Sequence, residues 1–269
     1  MTQKVYFLPD KQALAYFQEK ATPEFWDQRW LSISDLGNHL TNSKGDKHFI
    51  PAVRRYLPIG STVLEGGCGL GHLVHALHYQ GYKAIGIDFA SGTVNRIKQS
   101  APELDVRLGD VHALEIADGV LDGYISVGVI EHFWSGYIPI VNEMYRTLRV
   151  GGFLFVSFPY LSPLRKIKIV FNMYPKELSS LMENQCEKFY QFAFNVDRVR
   201  RDFVTLGFEL KEQLTYGGLK GFKDEVTFLK PWLQNVYDGK YGARWKHIAG
   251  KITHPFASHM VLLIMQKVR

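Results

Sequence analysis

Three carboxylates and a run of glycines are the residues in this 269-residue chain whose spacing most plainly serves chemistry. Ser61-Thr62-Val63-Leu64-Glu65 reads as a strand that runs into Gly66-Gly67-Cys68-Gly69-Leu70-Gly71. Such a turn lies at the carboxyl edge of a parallel sheet, where ligands of open α/β folds bind. Gly67, Gly69 and Gly71 remove side chains where a ligand must touch backbone and where a helix must approach a strand. The next strand, Lys83-Ala84-Ile85-Gly86-Ile87, ends in Asp88, placed to accept hydrogen bonds from both hydroxyls of a ribose. A third ends in Leu108-Gly109-Asp110-Val111. A lone Gly-Asp pair is a common turn, but as the third acid on successive strand ends Asp110 reads as ligand-facing. A dinucleotide fold would require G-x-G-x-x-G, and counted from Gly67 the sixth position is His72, so the register does not suit NAD.

The elements that must position these residues follow from hydrophobic pattern. From Ser61 onward short apolar runs alternate with helical stretches, the signature of βαβ units and a parallel sheet. Strands are predicted at 61–65, 83–87, 104–108, 122–127 and 152–158, with helices near 70–80, 91–100 and 138–149. Later helices are predicted near 175–190 and 195–206, and two final strands near 207–214 and 258–267. Gly81 and Gly151-Gly152 stand just past helical stretches, where a left-handed residue ends a helix at little steric cost. Residues 1–60 read as helices and connections, with Leu14, Phe17, Phe25, Trp26, Trp30 and Leu31 spaced for amphipathic turns and prolines 9, 23, 51 and 58 as breaks. No internal repeat or low-complexity tract is visible. The expected architecture is one domain: a helical segment over 1–60, then a core over 61–269 carrying two cap-like inserts near 160–190 and 217–255.

The glycine loop resembles the E/D-x-G-x-G-x-G motif of class I S-adenosylmethionine-dependent methyltransferases, with Glu65, Gly67, Gly69 and Gly71 matching position by position. Leu108-Gly109-Asp110-Val111 resembles that family's adenine-binding element. Gly128-Val129-Ile130-Glu131-His132 resembles the G-V-L-E-H segment of its small-molecule members, including the ubiquinone and menaquinone C-methyltransferases. Leu148-Arg149-Val150-Gly151-Gly152 resembles the L-K-P-G-G turn, with Val150 where the family has proline; the neighbouring glycines still make the turn. The likeness covers roughly residues 55–160. It implies a Rossmann-like α/β fold with a seven-stranded, mostly parallel sheet and helices on both faces. It implies S-adenosylmethionine as cofactor, its amino group on Glu65, its ribose on Asp88 and its adenine at Asp110 and the Val111 backbone. Cys68, Phe89 and Val127 complete the implied cofactor-binding set.

Methyl transfer from a sulfonium is an in-line displacement in which the protein supplies alignment, desolvation and, for a hydroxyl nucleophile, a base. His132, near the end of the fourth strand, and its neighbour Glu131 are the candidate catalytic residues. Both also read as scaffold on the cofactor side. His72, His75 and His78 recur on one helix without a clustered carboxylate or cysteine at ligand spacing, so no metal site is expected. The basic excess of +6 and pI near 9.1 leave a nucleic-acid methyltransferase as an alternative, but no Asn/Asp-Pro-Pro-aromatic motif follows the fourth strand and no nucleic-acid partner is expected. A non-catalytic cofactor-binding subunit is a third reading, against which the intact acids argue. The inserts, with Arg165, Lys166 and Lys168 in one and Trp232, Tyr237, Tyr241 and Trp245 in the other, suit a small aromatic or lipid-like acceptor. Membrane-surface contact is compatible with them, although nothing in the sequence argues for it. Two cysteines make no disulfide framework, the apolar start is too short for a signal peptide and no run approaches a spanning helix, so a cytoplasmic protein is expected.

Overall fold

A computed structural model describes residues 4–33, 36–42 and 47–269. Its strands are β1 (Lys4–Leu8), β2 (Ala13–Phe17), β3 (Thr62–Gly66), β4 (Lys83–Asp88) and β5 (Asp105–Leu108). There follow β6 (Leu121–Val127), β7 (Leu148–Pro159), β8 (Phe189–Phe194), β9 (Phe208–Tyr216) and β10 (Met260–Lys267). The helices before the long β7 strand are α1 (Pro23–Leu31), α2 (Leu36–Asn42), α3 (Phe49–Tyr56), α4 (His72–His78), α5 (Ser91–Ser100) and α6 (Ile138–Thr147). Those after it are α7 (Pro163–Val170), α8 (Val196–Leu206), α9 (Gly218–Glu225), α10 (Lys230–Tyr237) and α11 (Ala243–Ala257).

Seven strands form one sheet in the order β5-β4-β3-β6-β7-β10-β9, flanked by helices, and the pairs β5-β4, β4-β3, β3-β6 and β6-β7 are parallel. The chain reverses direction of winding at β3, so the glycine loop after it opens at the switch point of the sheet, where a crevice is left between crossovers running to opposite sides. Strand β3 is buried along nearly its whole length, so Glu65 near its end is held inside the sheet together with Val63 and Leu64. Gly86 in β4 is forced by packing: a Cβ there would stand 2.9 Å from both Cys68 Sγ and Val74 Cγ2. That close approach brings α4 and the glycine loop down onto the sheet.

By internal contacts the chain divides into two units. One, residues 20–157, 201–212 and 263–269, holds the glycine loop and all three strand-end acids. The other, residues 1–19, 158–200 and 213–262, contains a three-stranded sheet β1-β2-β8 and the helices α7 and α9–α11. This small sheet corrects the reading of residues 1–60 as helices and connections over residues 4–17, which include Leu14 and Phe17, whereas α1, α2 and α3 are helical as expected. All five residues of β2 are buried, so no alternation betrays the strand, and its antiparallel partners are β1 across the Pro9-Asp10-Lys11-Gln12 turn and the distant β8. The segment 175–190, expected to be a helix, is a 3-10 stretch at Ser179–Lys188 leading directly into β8. Residues 217–255 do have structure of their own, with Leu219, Leu233 and Val236 as a local core.

Helix α1 is tied to α5 by polar contacts that lie far apart in sequence. The amides of Gly92 and Thr93 in the first turn of α5 donate to the Asp27 carboxylate at 3.1 and 2.7 Å, and the Thr93 hydroxyl donates to it at 2.7 Å. Asp27 thus caps α5 from outside; the N-cap position is Ala90, which has no side chain that could do so. Arg96 on α5 returns the contact by donating to the carbonyls of Trp30 and Ile33 at 2.8 and 2.5 Å. Asp27→Ala should lower the unfolding free energy by about 1–2 kcal/mol, read by urea denaturation, while Gln28→Ala on the exposed face of the same helix should leave it unchanged within error.

Candidate functional site

The site begins at the turn after β3. Gly67 and Gly69 take φ values of +74° and +49°, and a Cβ on Gly67 would stand 2.4 Å from Val129 Cγ2, so the loop can follow this path only without side chains. The amides of Gly67 and Cys68 donate to the Ile87 carbonyl at 2.8 and 3.0 Å, and the Gly69 amide donates to Asp88 Oδ2 at 2.7 Å. Asp88 Oδ1 accepts from the Ala90 amide at 2.9 Å. Asp88 therefore holds the loop and the start of α5 with one oxygen each, and each oxygen keeps a second lone pair for a ligand hydroxyl.

Glu65 is buried beside it, and its Oε2 has no hydrogen-bond partner among the described residues. Burial, then the charge of Asp88, holds the Glu65 carboxyl well above the usual range. Burial also raises Asp88, against the backbone amides that favour its charged form. Two buried carboxyl groups side by side, one of them with an orphaned oxygen, form an electrostatic deficit that a cation would relieve. Cys68 is buried, and burial raises its thiol pKa, which suits the packing role expected of it.

Asp110, by contrast, is exposed. Its Oδ1 accepts from the His112 amide at 2.9 Å and meets His112 Nδ1 at 2.7 Å. Burial works to raise it, but the amide and ring of His112 prevail and hold it below the usual carboxylate range. Val111 beside it is buried. The loop after β5 is braced by Arg146, whose guanidinium donates to the carbonyls of Leu114 and Ile116 at 3.0 and 2.7 Å and to Glu143 and Asp118. Phe89 is partly exposed next to Asp88, and Val127 is half-buried at the end of β6.

The aromatic residues of α1 stand over this floor. The Trp30 ring lies 3.3 Å from where a Gly69 Cβ would be, Trp26 stacks on Trp30 with centroids 5.7 Å apart, and His132 meets the Trp26 ring edge-on at 5.3 Å. Phe133 and His112 pack edge-to-face at 4.5 Å, joining the loops after β5 and β6. Glu65, Gly67, Gly69, Asp88, Val129 and His132 are thus gathered around one rim. Sequence reasoning missed Asp27 and His112, and took Val129 only as part of a motif; of the first two, His112 alone carried a local signal, standing two residues past an aspartate where an Asx turn closes.

Glu131 lies deeper. It is 2% exposed on the 3-10 turn Ile130–His132, its Oε2 has no partner among the described residues, and burial pushes its carboxyl up to about 8. A neutral carboxylic acid is the form this pocket favours at neutral pH.

The Rossmann-like sheet carries a glycine turn at its switch point and acids at the ends of its first strands, the place where open α/β folds bind nucleotide-type ligands. Residues 64–156 match the family model described as a methyltransferase domain. It is similar to a probable S-adenosylmethionine-dependent methyltransferase of Mycolicibacterium smegmatis, 35% identical over 100 residues, which cover 37% of this chain and 38% of that protein. It is also similar to malonyl-[acyl-carrier protein] O-methyltransferase of Yersinia pestis, 28% identical over 148 residues, 55% of this chain and 51% of that one. The chain spans about half or less of these curated relatives. Among solved structures, the fold is similar to a Haloferax volcanii putative methyltransferase complexed with the Trm112 activator (TM-score 0.57, 16% identity, 91% of this chain and 98% of that one). It is also similar to geranyl diphosphate C-methyltransferase of Streptomyces coelicolor (TM-score 0.55, 11% identity, 93% and 100%).

The Glu131 environment has a measurable consequence. In the unfolded chain Glu131 ionises near its ordinary 4.5, and in the fold near 8, so between these values the folded state holds the extra proton. Stability then falls as pH rises across that window, by at most about 1.4 kcal/mol per pH unit from this group. Glu131→Gln should flatten the decline between pH 5 and 8 in denaturant titrations run at several pH values, and an unchanged slope would place the carboxyl in a wetter setting.

Proposed function

We propose that this chain transfers the methyl group of S-adenosylmethionine to a small-molecule acceptor. The observation that carries the reading is the orphaned, buried Glu65 carboxyl beside Asp88 at a glycine turn that tolerates no side chains. These residues fit the cofactor: Glu65 toward the amino group, Asp88 toward the ribose hydroxyls, and Asp110 with the Val111 backbone toward the adenine edge. The cofactor, when bound, supplies the activated methyl group. The chain's own residues orient it, exclude water with Trp26 and Trp30, and hold a proton acceptor at His132 for a hydroxyl nucleophile.

Several features favour a small acceptor. The Gly128-Val129-Ile130-Glu131-His132 segment resembles that of the ubiquinone and menaquinone C-methyltransferases, and the relatives include an enzyme named for O-methylation of a malonyl carrier. The segments at 160–190 and 217–255 mix aromatic and basic residues, which suits a planar or apolar acceptor with an anionic group. No helix among the described residues is long and apolar enough to cross a membrane. Residues 217–255 cannot be cut back cleanly to test their part in acceptor choice. Arg165 is buried and donates to Glu225 at 2.8 Å, so the excision would strand a buried cation.

The intact chain is therefore the right material for the test. Calorimetry should show binding of S-adenosylmethionine and of its demethylated product, and none of NAD. Asp88→Ala should weaken that binding by on the order of 1–3 kcal/mol, with Asp88→Asn less affected because one oxygen still accepts. His132→Ala should keep cofactor affinity and lower turnover in a screen with methyl-labelled cofactor against phenolic, carboxylic and lipid-like acceptors. Tight NAD binding with no response to either sulfur compound would overturn the assignment.

A further inference from the structure

Helix α11 is amphipathic in an inverted sense. Its inward face is made by small or polar residues, with Thr253 and Ala257 buried. Three of its four large apolar residues, Trp245, Ile252 and Phe256, recur at seven- and four-residue spacing and fall within a narrow stripe on one face; the fourth, Ile248, is half-buried, and the Phe256 ring also meets Phe222 edge-on at 5.8 Å. They are 62%, 65% and 36% exposed. The preceding elements repeat the pattern. Phe228, on the turn before α10, is 81% exposed and Trp232 in the first turn of α10 is 55% exposed, although Leu233 and Val236 of the same helix are buried. Helices α10 and α11 pack on each other within one unit of the chain. Exposed apolar surface concentrated in this way marks a contact, whereas single exposed residues need no explanation.

The charge around it selects the partner. Residues 226–256 hold five basic residues, Lys230, Lys240, Arg244, Lys246 and Lys251, against one acid, Asp238, a net +4 of the chain's +6. Lys240, Arg244 and Lys251 are exposed, and Arg244 and Lys251 flank the apolar stripe of α11 on the same side. Tryptophan and phenylalanine bordered by lysine and arginine are the composition of a helix that lies in a bilayer interface, rings at the headgroup level and cations on anionic headgroups. We propose that the α10–α11 segment docks the protein reversibly onto an anionic lipid surface. No spanning helix is involved, and the inference stands apart from the identity of the methyl acceptor.

The test uses the intact chain and sedimentation with phosphatidylcholine vesicles, with and without phosphatidylglycerol. The chain should pellet with the anionic vesicles and remain in solution with the neutral ones, and raised salt should release it. Tryptophan emission should shift to shorter wavelength on binding, and Trp232→Ser/Trp245→Ser should bind at least about 10-fold more weakly. Lys240→Glu/Arg244→Glu/Lys251→Glu, which leaves every apolar residue in place, should lose binding by a similar or larger factor. Circular dichroism and cofactor calorimetry serve as checks that both variants are folded. Failure of the folded intact chain to bind anionic vesicles would overturn the proposal. So would binding that both variants retain, or self-association of the chain that the same substitutions abolish, since the occupant would then be a second copy.

Discussion

The arrangement of the site turns on two carboxyl groups kept out of water at the edge of a parallel sheet. Glu65 and Asp88 come from adjacent strands, β3 and β4, whose register places their ends at the switch point of the sheet. Asp88 spends one hydrogen bond on the Gly69 amide and one on the Ala90 amide, so the same carboxylate fixes the glycine turn and starts the next helix. Glu65 has no such compensation for Oε2. A buried, unsatisfied acid costs free energy that a cationic partner would recover, which is how a binding site differs from a packed interior. The close approach of Gly86, Cys68 and Val74 and the left-handed glycines serve to keep that geometry rigid.

Helix α1 completes the same arrangement from outside the sheet. Asp27 satisfies the first turn of α5, Arg96 satisfies the last carbonyls of α1, and the result is that Trp30 and Trp26 stand over the glycine loop and reach His132. Because the contacts are polar, specific in direction and few, α1 is held in one orientation by a small number of groups rather than by a broad apolar interface; none of its residues is fully buried. That suits an element that must admit a ligand to the floor beneath it.

What the amino-acid sequence reveals depends on whether the cause is local. The strands β3 to β7, the helices between them and the glycine turn were legible because each is bounded by its own punctuation, and the acids fall at the strand ends that this punctuation defines. The strand β2 was not legible. Ala13-Leu14-Ala15-Tyr16-Phe17 is buried on both faces, so its pattern mimics a helical turn, and its pairing partner β8 lies more than 170 residues away in the chain. The helix expected at 175–190 is cut at both ends by that sheet: the Pro175 carbonyl accepts from the Phe7 amide and the Glu177 amide donates back to the Phe7 carbonyl, and Phe189 begins β8. Asp27 as the cap of α5 depends on a tertiary contact that no window of sequence contains. The depth of Glu131 was equally hidden: its neighbours suggested a catalytic pair, while the burial that keeps its carboxyl neutral comes from packing around the whole loop after β6.

The buried Glu65 carboxyl with its orphaned oxygen is the group on which the proposed site rests. Calorimetric titration of S-adenosylmethionine into the intact chain and into its Glu65→Gln variant tests this most directly. The folded variant should bind at least about 10-fold more weakly, because a neutral amide lacks the charge that meets a cationic amino group. Unaltered affinity in a variant shown by circular dichroism to be folded would contradict the account.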